Sequence, residues 1–230
     1  MRNFALLFFG LILAGCVHAS TCVTTTLNVY LVPSFSCDIG PFTVKDFEYG
    51  ALLGNNVSIL NTEITVTPSY NVPLHKVALT FASSKFSVSG SQAAHYAIEY
   101  MWDAPDVRSM ADVLTDPTIA PGLAKVTTSG CENAAFGGTL DVPTCATTVQ
   151  TVTVFDDGIS PVFFDIHIFS PPLSPGNLGM HNRIEIDANG ATSNFQSFTN
   201  ELVFLPEPST LTGGLIGLAI VLCASRLKRR

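Results

Sequence analysis

The chain has 230 residues, with 11 Lys and Arg against 18 Asp and Glu for a formal net charge of −7, and 47% of its residues are hydrophobic. That length fits one domain, or one domain plus processing segments. The acidic balance excludes a nucleic-acid partner, because a field of that sign repels phosphate backbones.

The first segment opens with Arg2, runs apolar from Phe4 to Gly15, and continues in small residues to Ser20. An apolar run of about 12 residues suits the h-region of a signal peptide and is too short to span a bilayer. Residues 1–19 are therefore expected to be a signal peptide. Two cuts compete. Val17-His18-Ala19 suits ordinary signal peptidase cutting before Ser20, whereas Leu13-Ala14-Gly15-Cys16 resembles a lipoprotein lipobox in which Cys16 would carry lipid. The ordinary cut is favoured, because a second membrane segment sits at the other end.

Residues 20–204 form the candidate ectodomain. Setting aside Arg2, Glu207, Arg226, Lys228, Arg229 and Arg230 leaves six basic and 17 acidic residues, a net charge of −11. Such a charge favours solubility, divalent cations or cationic partners, and solubility alone is the simplest account. Four of the six Cys fall in this stretch: Cys22, Cys37, Cys131 and Cys145. An even count in an exported chain reads as disulfides, with three connectivities open. Clustering favours Cys22–Cys37 and Cys131–Cys145, each closing a loop of about 15 residues and adding roughly 3 kcal/mol on the chain-entropy model. A zinc site is disfavoured, since there is no Cys-x-x-Cys and no His at ligand spacing from a Cys.

The same stretch is rich in Thr, Ser, Val, Ile and Phe and is broken often by Gly and Pro, which is strand-and-turn composition. Strands are expected at Val44–Tyr49, from Asn61 through Ile64 and Val66, and at Val77–Phe81, Phe86–Val88, Tyr96–Met101 and Ala124–Thr127. Others follow at Val149–Phe155, Val162–Phe169, Arg183–Asp187 and Phe195–Phe204. Arg183-Ile184-Glu185-Ile186-Asp187 alternates as a half-solvated strand should, while Val162–Phe169 is so apolar that it reads as central. Asp156-Asp157-Gly158 signals a turn joining its two neighbours into a hairpin. Ala104–Ala120 is the exception. There Val107, Met110, Ala111 and Leu114 could line a short helix, or the segment could be an ordered loop. Gly130–Thr144 and Ser170–Gly176 read as Gly- or Pro-rich loops. About ten short strands without a long helical period predict an all-β, antiparallel β-sandwich or jelly roll.

Residues 205–230 are more specific. Pro206, Glu207 and Pro208 precede an apolar stretch, Leu211–Ala224, that includes Leu211, Leu215, Ile216, Leu218, Ile220, Val221 and Leu222. The end is basic, with Arg226, Lys228, Arg229 and Arg230. The span is at the short edge for a transmembrane helix, and the cations would stay on the cytoplasmic side, placing residues 20–204 outside the cytoplasm. This order resembles the PEP-CTERM sorting signal of bacteria. The resemblance implies that an exosortase-type enzyme recognises Pro206, Glu207 and Pro208, that the apolar stretch is a transient transmembrane anchor, and that the basic end is its stop. The family usually carries Val before the first Pro, where this chain has Leu205. A Gram-positive sortase signal fits less well, since Pro208 and Ser209 stand where Thr and Gly are needed. Ser36-Cys37-Asp38-Ile39-Gly40 with Phe42–Tyr49 also resembles the opening of a group of PEP-CTERM proteins, a looser match.

Candidate sites within residues 20–204 are few. Asp165 and His167 share a strand face, but no nucleophile motif accompanies them, so a structural pair is the better reading. Asp103, Asp106, Asp112 and Asp116 could offer oxygen to Ca²⁺, although their spacing is not that of an EF-hand and a solvated acidic loop explains them as well. Tyr96, Tyr100 and Trp102 share one strand parity and could form a sugar-stacking strip or pack in the core. No catalytic residue, metal or cofactor is expected. The resemblance implies an exported, non-enzymatic cell-surface or extracellular-matrix protein whose partners are signal peptidase, an exosortase, the inner membrane before processing, and exopolysaccharide. It would stay membrane-anchored in the periplasm, then reach the surface or medium. A carbohydrate- or Ca-binding module is the alternative, and a secreted hydrolase a third.

Overall fold

A computed structural model describes residues 20–204 apart from Pro105 and Pro121. The proposed leader, Cys16, the Pro206-Glu207-Pro208 element, the apolar stretch and the basic end lie outside the described residues. Among the described residues, no helix is long and apolar enough to cross a membrane.

The strands in chain order are β1 (Ser20–Thr21), β2 (Thr25–Thr26), β3 (Ser36–Ile39), β4 (Phe42–Ala51), β5 (Thr65–Asn71) and β6 (Lys76–Ala82). Then come β7 (Ser87–Ser89), β8 (Ala93–Ala104), β9 (Val107–Thr115), β10 (Thr118–Ala120), β11 (Leu123–Glu132) and β12 (Gly137–Thr139). The last six are β13 (Val142–Thr144), β14 (Val149–Asp156), β15 (Phe164–Leu173), β16 (Gly176–Asp187), β17 (Thr192–Asn194) and β18 (Ser197–Phe204). Among the described residues, helix is limited to one turn at Leu27–Tyr30 and a 3₁₀ turn at Asn61–Glu63, where the sequence suggested strand. A seven-stranded sheet of order β1-β3-β4-β8-β16-β11-β14 faces a six-stranded sheet of order β15-β9-β18-β6-β5-β2. The pairs are antiparallel except β1 with β3.

Alternation explains the sandwich. On β8, Tyr96, Ile98, Tyr100 and Trp102 are all buried, and on β16 Ile184 and Ile186 are fully buried while Arg183, Glu185 and Asp187 take the other face. Period-two burial fixes the register, because a one-residue slip would turn each of these side chains to water. Burying such a side chain stabilises by roughly 1.5–3 kcal/mol. Across the layers, the Phe81 and Tyr100 rings meet at 5.9 Å. The two ends close differently. At one pole Phe204 packs on Phe42 at 5.0 Å and on Tyr70 at 6.1 Å. At the other, the small sheet β10-β17-β7 caps the core through Phe86 and Phe195, whose rings are 4.7 Å apart.

Three expectations are corrected. Ala104–Ala120 is neither helix nor loop: β9 pairs with both β15 and β18, and β10 follows it. Its outward Ser109 and Ala111 are as buried as its inward Met110 and Asp112, which erases the alternation that would have marked a strand. Val162–Phe169 is not central. It supplies β15, an edge strand whose Phe164, Ile166 and Ile168 face outward and are exposed. Ser170–Leu173 extends that strand instead of forming a loop. The Asp156-Asp157-Gly158 turn forms as expected, with Asp156 accepting from Gly158 N–H at 2.8 Å. The N–H groups of Ser160 and Ile159 hold the Asp157 carboxyl below its usual range. The turn carries the chain between the sheets, and the bridge Phe155–Val162 precedes the point where β14 and β15 join different sheets.

Both favoured disulfides are formed, Cys22–Cys37 and Cys131–Cys145. The second pins a strap. From Cys131 the chain leaves β11, and the Ala134 carbonyl accepts the Gly179 N–H at 3.0 Å on β16. Phe136 then packs on His181, the β12–β13 hairpin crosses the sheet, and Asp141 accepts the Leu53 N–H at 2.8 Å beyond β4. Gly179 is required beneath the strap, since a Cβ there would meet the Ala134 oxygen at 2.6 Å.

Candidate functional site

The edge strands of the two sheets, β14 and β15, lie side by side and leave a cleft of about 500 Å³ where β11 passes into the strap. One wall is polar, with Glu132, Asn133, Thr148 and Gln150; the other holds His167, Phe169, Pro171, Pro172 and Leu173. The two segments read as loops from sequence, 130–144 and 170–176, therefore meet here. Gln150 Nε2 donates to Glu132 Oε1 at 3.2 Å, which orients that carboxylate across the cleft floor. The His167 ring stands edge-on to Phe169, with centroids 5.1 Å apart. Hydrogen-bonding groups opposite apolar ring and proline faces can hold a hydroxylated ligand with apolar C–H faces.

Asp165 does not serve His167. Its Oδ2 accepts the Thr153 N–H at 2.7 Å, tying β15 to β14, and its Oδ1 accepts the Ile166 N–H. The tyrosine–tryptophan strip is core: Tyr96, Tyr100 and Trp102 are 4%, 2% and 0% exposed, so none can stack on a sugar. The four aspartates do not converge. Asp103 is exposed 3.9 Å from Lys45, Asp112 is fully buried, and Asp116 sits in a left-handed turn. Among the described residues, no group of three or more His, Cys, Asp or Glu could hold a metal ion.

Asp112 belongs to a buried polar chain that the sequence reading missed. Tyr100 donates to Asn200 Oδ1 at 2.7 Å, and Asn200 Nδ2 donates to Asp112 Oδ1 at 2.8 Å and to Thr128 Oγ1 at 3.1 Å. Thr128 donates to Asn182 Oδ1 at 2.8 Å, and Asn182 donates to the Ile98 carbonyl. These side chains come from both sheets and stitch them together through the core. Burial pushes the Asp112 carboxyl up to about 7, with the neighbouring Thr128 and Asn200 side chains opposing and the Asp165 and Glu201 charges adding to the rise. Burial and the Asp112 charge also raise Tyr100 well above the usual phenol range. On the outer face, burial acts to raise Glu185, but Lys125 and Arg183 outweigh it and hold the carboxyl low. The isolated signal for the buried chain was Asn200 and Asp112 at inward strand positions, visible only once β9 is known to be a strand.

No protein-family model matches the chain, and no curated protein matches it. Among solved structures, it is similar to TmCBM61, solved in complex with β-1,4-galactotriose, at 9% identity and a TM-score of 0.34, covering 71% of this chain and 89% of that one. It is also similar to the enzymatically active domain of bacteriophage CBA120 tailspike protein 4, at 9% identity and a TM-score of 0.29, covering 72% of this chain and 20% of that one. At these values neither likeness bears on ligand or activity.

Proposed function

We propose that this chain is an exported bacterial envelope protein, processed at its C-terminus by an exosortase-type enzyme and deployed without catalytic activity at the cell surface or in the extracellular matrix. The carrying observation is the order of Pro206-Glu207-Pro208, the apolar stretch Leu211–Ala224, and the basic end Arg226–Arg230. The two disulfides support export, since such bonds persist in oxidising compartments. Glu207→Ala tests the sorting step. Envelope and medium fractions of the native host should then accumulate the chain with residues 211–230 still attached, read by intact mass. Unchanged removal of the tail would refute recognition of the tripeptide.

The cleft favours one second reading, a carbohydrate-binding module. Calorimetric titration with a panel of neutral polysaccharides should then show saturable heat that Gln150→Leu removes. Heat unaltered by that change places binding elsewhere, and no heat across the panel leaves the cleft a structural seam.

A further inference from the structure

The chain leaves the sandwich at the pole where Phe204 ends β18. Phe204 is 6% exposed, and its N–H donates to the His75 carbonyl at 3.0 Å. The exit is thus fixed beside the β5–β6 hairpin. Six residues lie between Phe204 and Leu211, the start of the proposed span, and at full extension those seven steps cover at most roughly 25 Å. Whatever surface the span enters must lie close under this pole.

The hairpin tip there is unusual for an acidic domain. Val72 and Leu74 are 57% and 61% exposed, and no carboxylate occurs from Ser69 to Lys76. The tip is held in shape, since Asn71 Oδ1 accepts the Leu74 N–H at 3.1 Å and the Val72 carbonyl accepts the His75 N–H at 3.1 Å. Tyr70, 39% exposed, flanks it with its ring stacked on Phe204. Two projecting aliphatic side chains, an amphipathic tyrosine and no negative charge make a composition suited to the lipid–water interface. The apolar stripe of β15 is as exposed, but it runs along the wall of the sandwich and not at the exit.

We propose that the β5–β6 hairpin tip, Val72 and Leu74 with Tyr70 beside them, is a membrane-contact surface that rests in the lipid interface while the chain is held by its C-terminal span. This inference rests on the span reading given above. It orients the domain, with the three-stranded cap pointing away from the bilayer.

The test uses the full-length chain reconstituted into vesicles of phosphatidylethanolamine and phosphatidylglycerol containing brominated acyl chains. Trp102, the single native tryptophan, is fully buried and gives a constant background. Leu74→Trp and, separately, Val72→Trp report on the tip, and Ile159→Trp, at a site 85% exposed near the far pole, is the control. Emission from the tip variants should be blue-shifted and quenched about twofold more than that of the control, as for side chains seated at the interface. Vesicles that carry the chain on flotation but quench tip and control alike would overturn the membrane contact and leave the span standing. A chain that fails to float with the vesicles would overturn both.

Discussion

Unfolding free energy is expected to fall as pH rises from about 4 to about 7, and Asp112→Asn should abolish most of that fall. The unfolded aspartate titrates near 3.8 and the folded one near 7, so between those values the native state binds the extra proton. Stability from this group is therefore fully present below about pH 4, declines as pH rises, and is gone above about pH 7. The displacement corresponds to roughly 4 kcal/mol. The cause is physical and local: Asp112 is 0% exposed, its Oδ1 accepts from Asn200, and its Oδ2 has no hydrogen-bond partner among the described residues. Asparagine keeps the acceptor for Asn200 and carries no charge to desolvate, so the variant should exceed wild type by about 2 kcal/mol or more at pH 8 and differ little at pH 4. Urea unfolding followed by the buried Trp102 reads both. Equal pH slopes in the two proteins would show that Asp112 is not the titrating group.

Replacing Cys22 and Cys37 together by Ala should lower global stability by about 3 kcal/mol, the chain-entropy value for their separation of 15 residues. Cys37 is 1% exposed and Cys22 8%, so the change also thins the core beside Tyr30. It loosens β1, which among the described residues pairs only with β3. The corresponding change at Cys131 and Cys145, separated by 14 residues, should differ in kind. That bond holds the strap, so its loss should appear first as faster amide exchange at Gly179 and Leu53, which donate to the strap. If denaturant midpoints fall equally for both pairs without early exchange at those amides, the strap is not an independent unit.

Much of the sandwich was legible because most strands bury one face. Ile184 and Ile186 against Arg183 and Glu185 could be paired from spacing alone, and the Cys spacing pointed to the two bonds that form. The failures share a cause. β9 has both faces covered, so Met110, Ala111 and Leu114 resembled a helical stripe, and Asp112 was then read as part of a solvated acidic segment. On β15 Phe164, Ile166 and Ile168 point outward while Asp165 and His167 share the inward parity of Phe169, the reverse of what composition implies for most of the strand. The strap depends on contacts from residues 134–141 to Gly179, His181, Gly50 and Leu53, which no local pattern encodes. The cleft was half visible: its two segments were singled out, but their meeting comes from sheet order.

The position of β18 has a consequence for biogenesis. It is the final strand of the described fold, yet it lies in the interior of its sheet, hydrogen-bonded to β6 on one side and β9 on the other. A polypeptide emerging amino end first therefore cannot complete this layer until residue 204 has arrived. Until β18 docks, its empty slot separates β15-β9 from β6-β5-β2, so the six-stranded layer closes only with the last described strand.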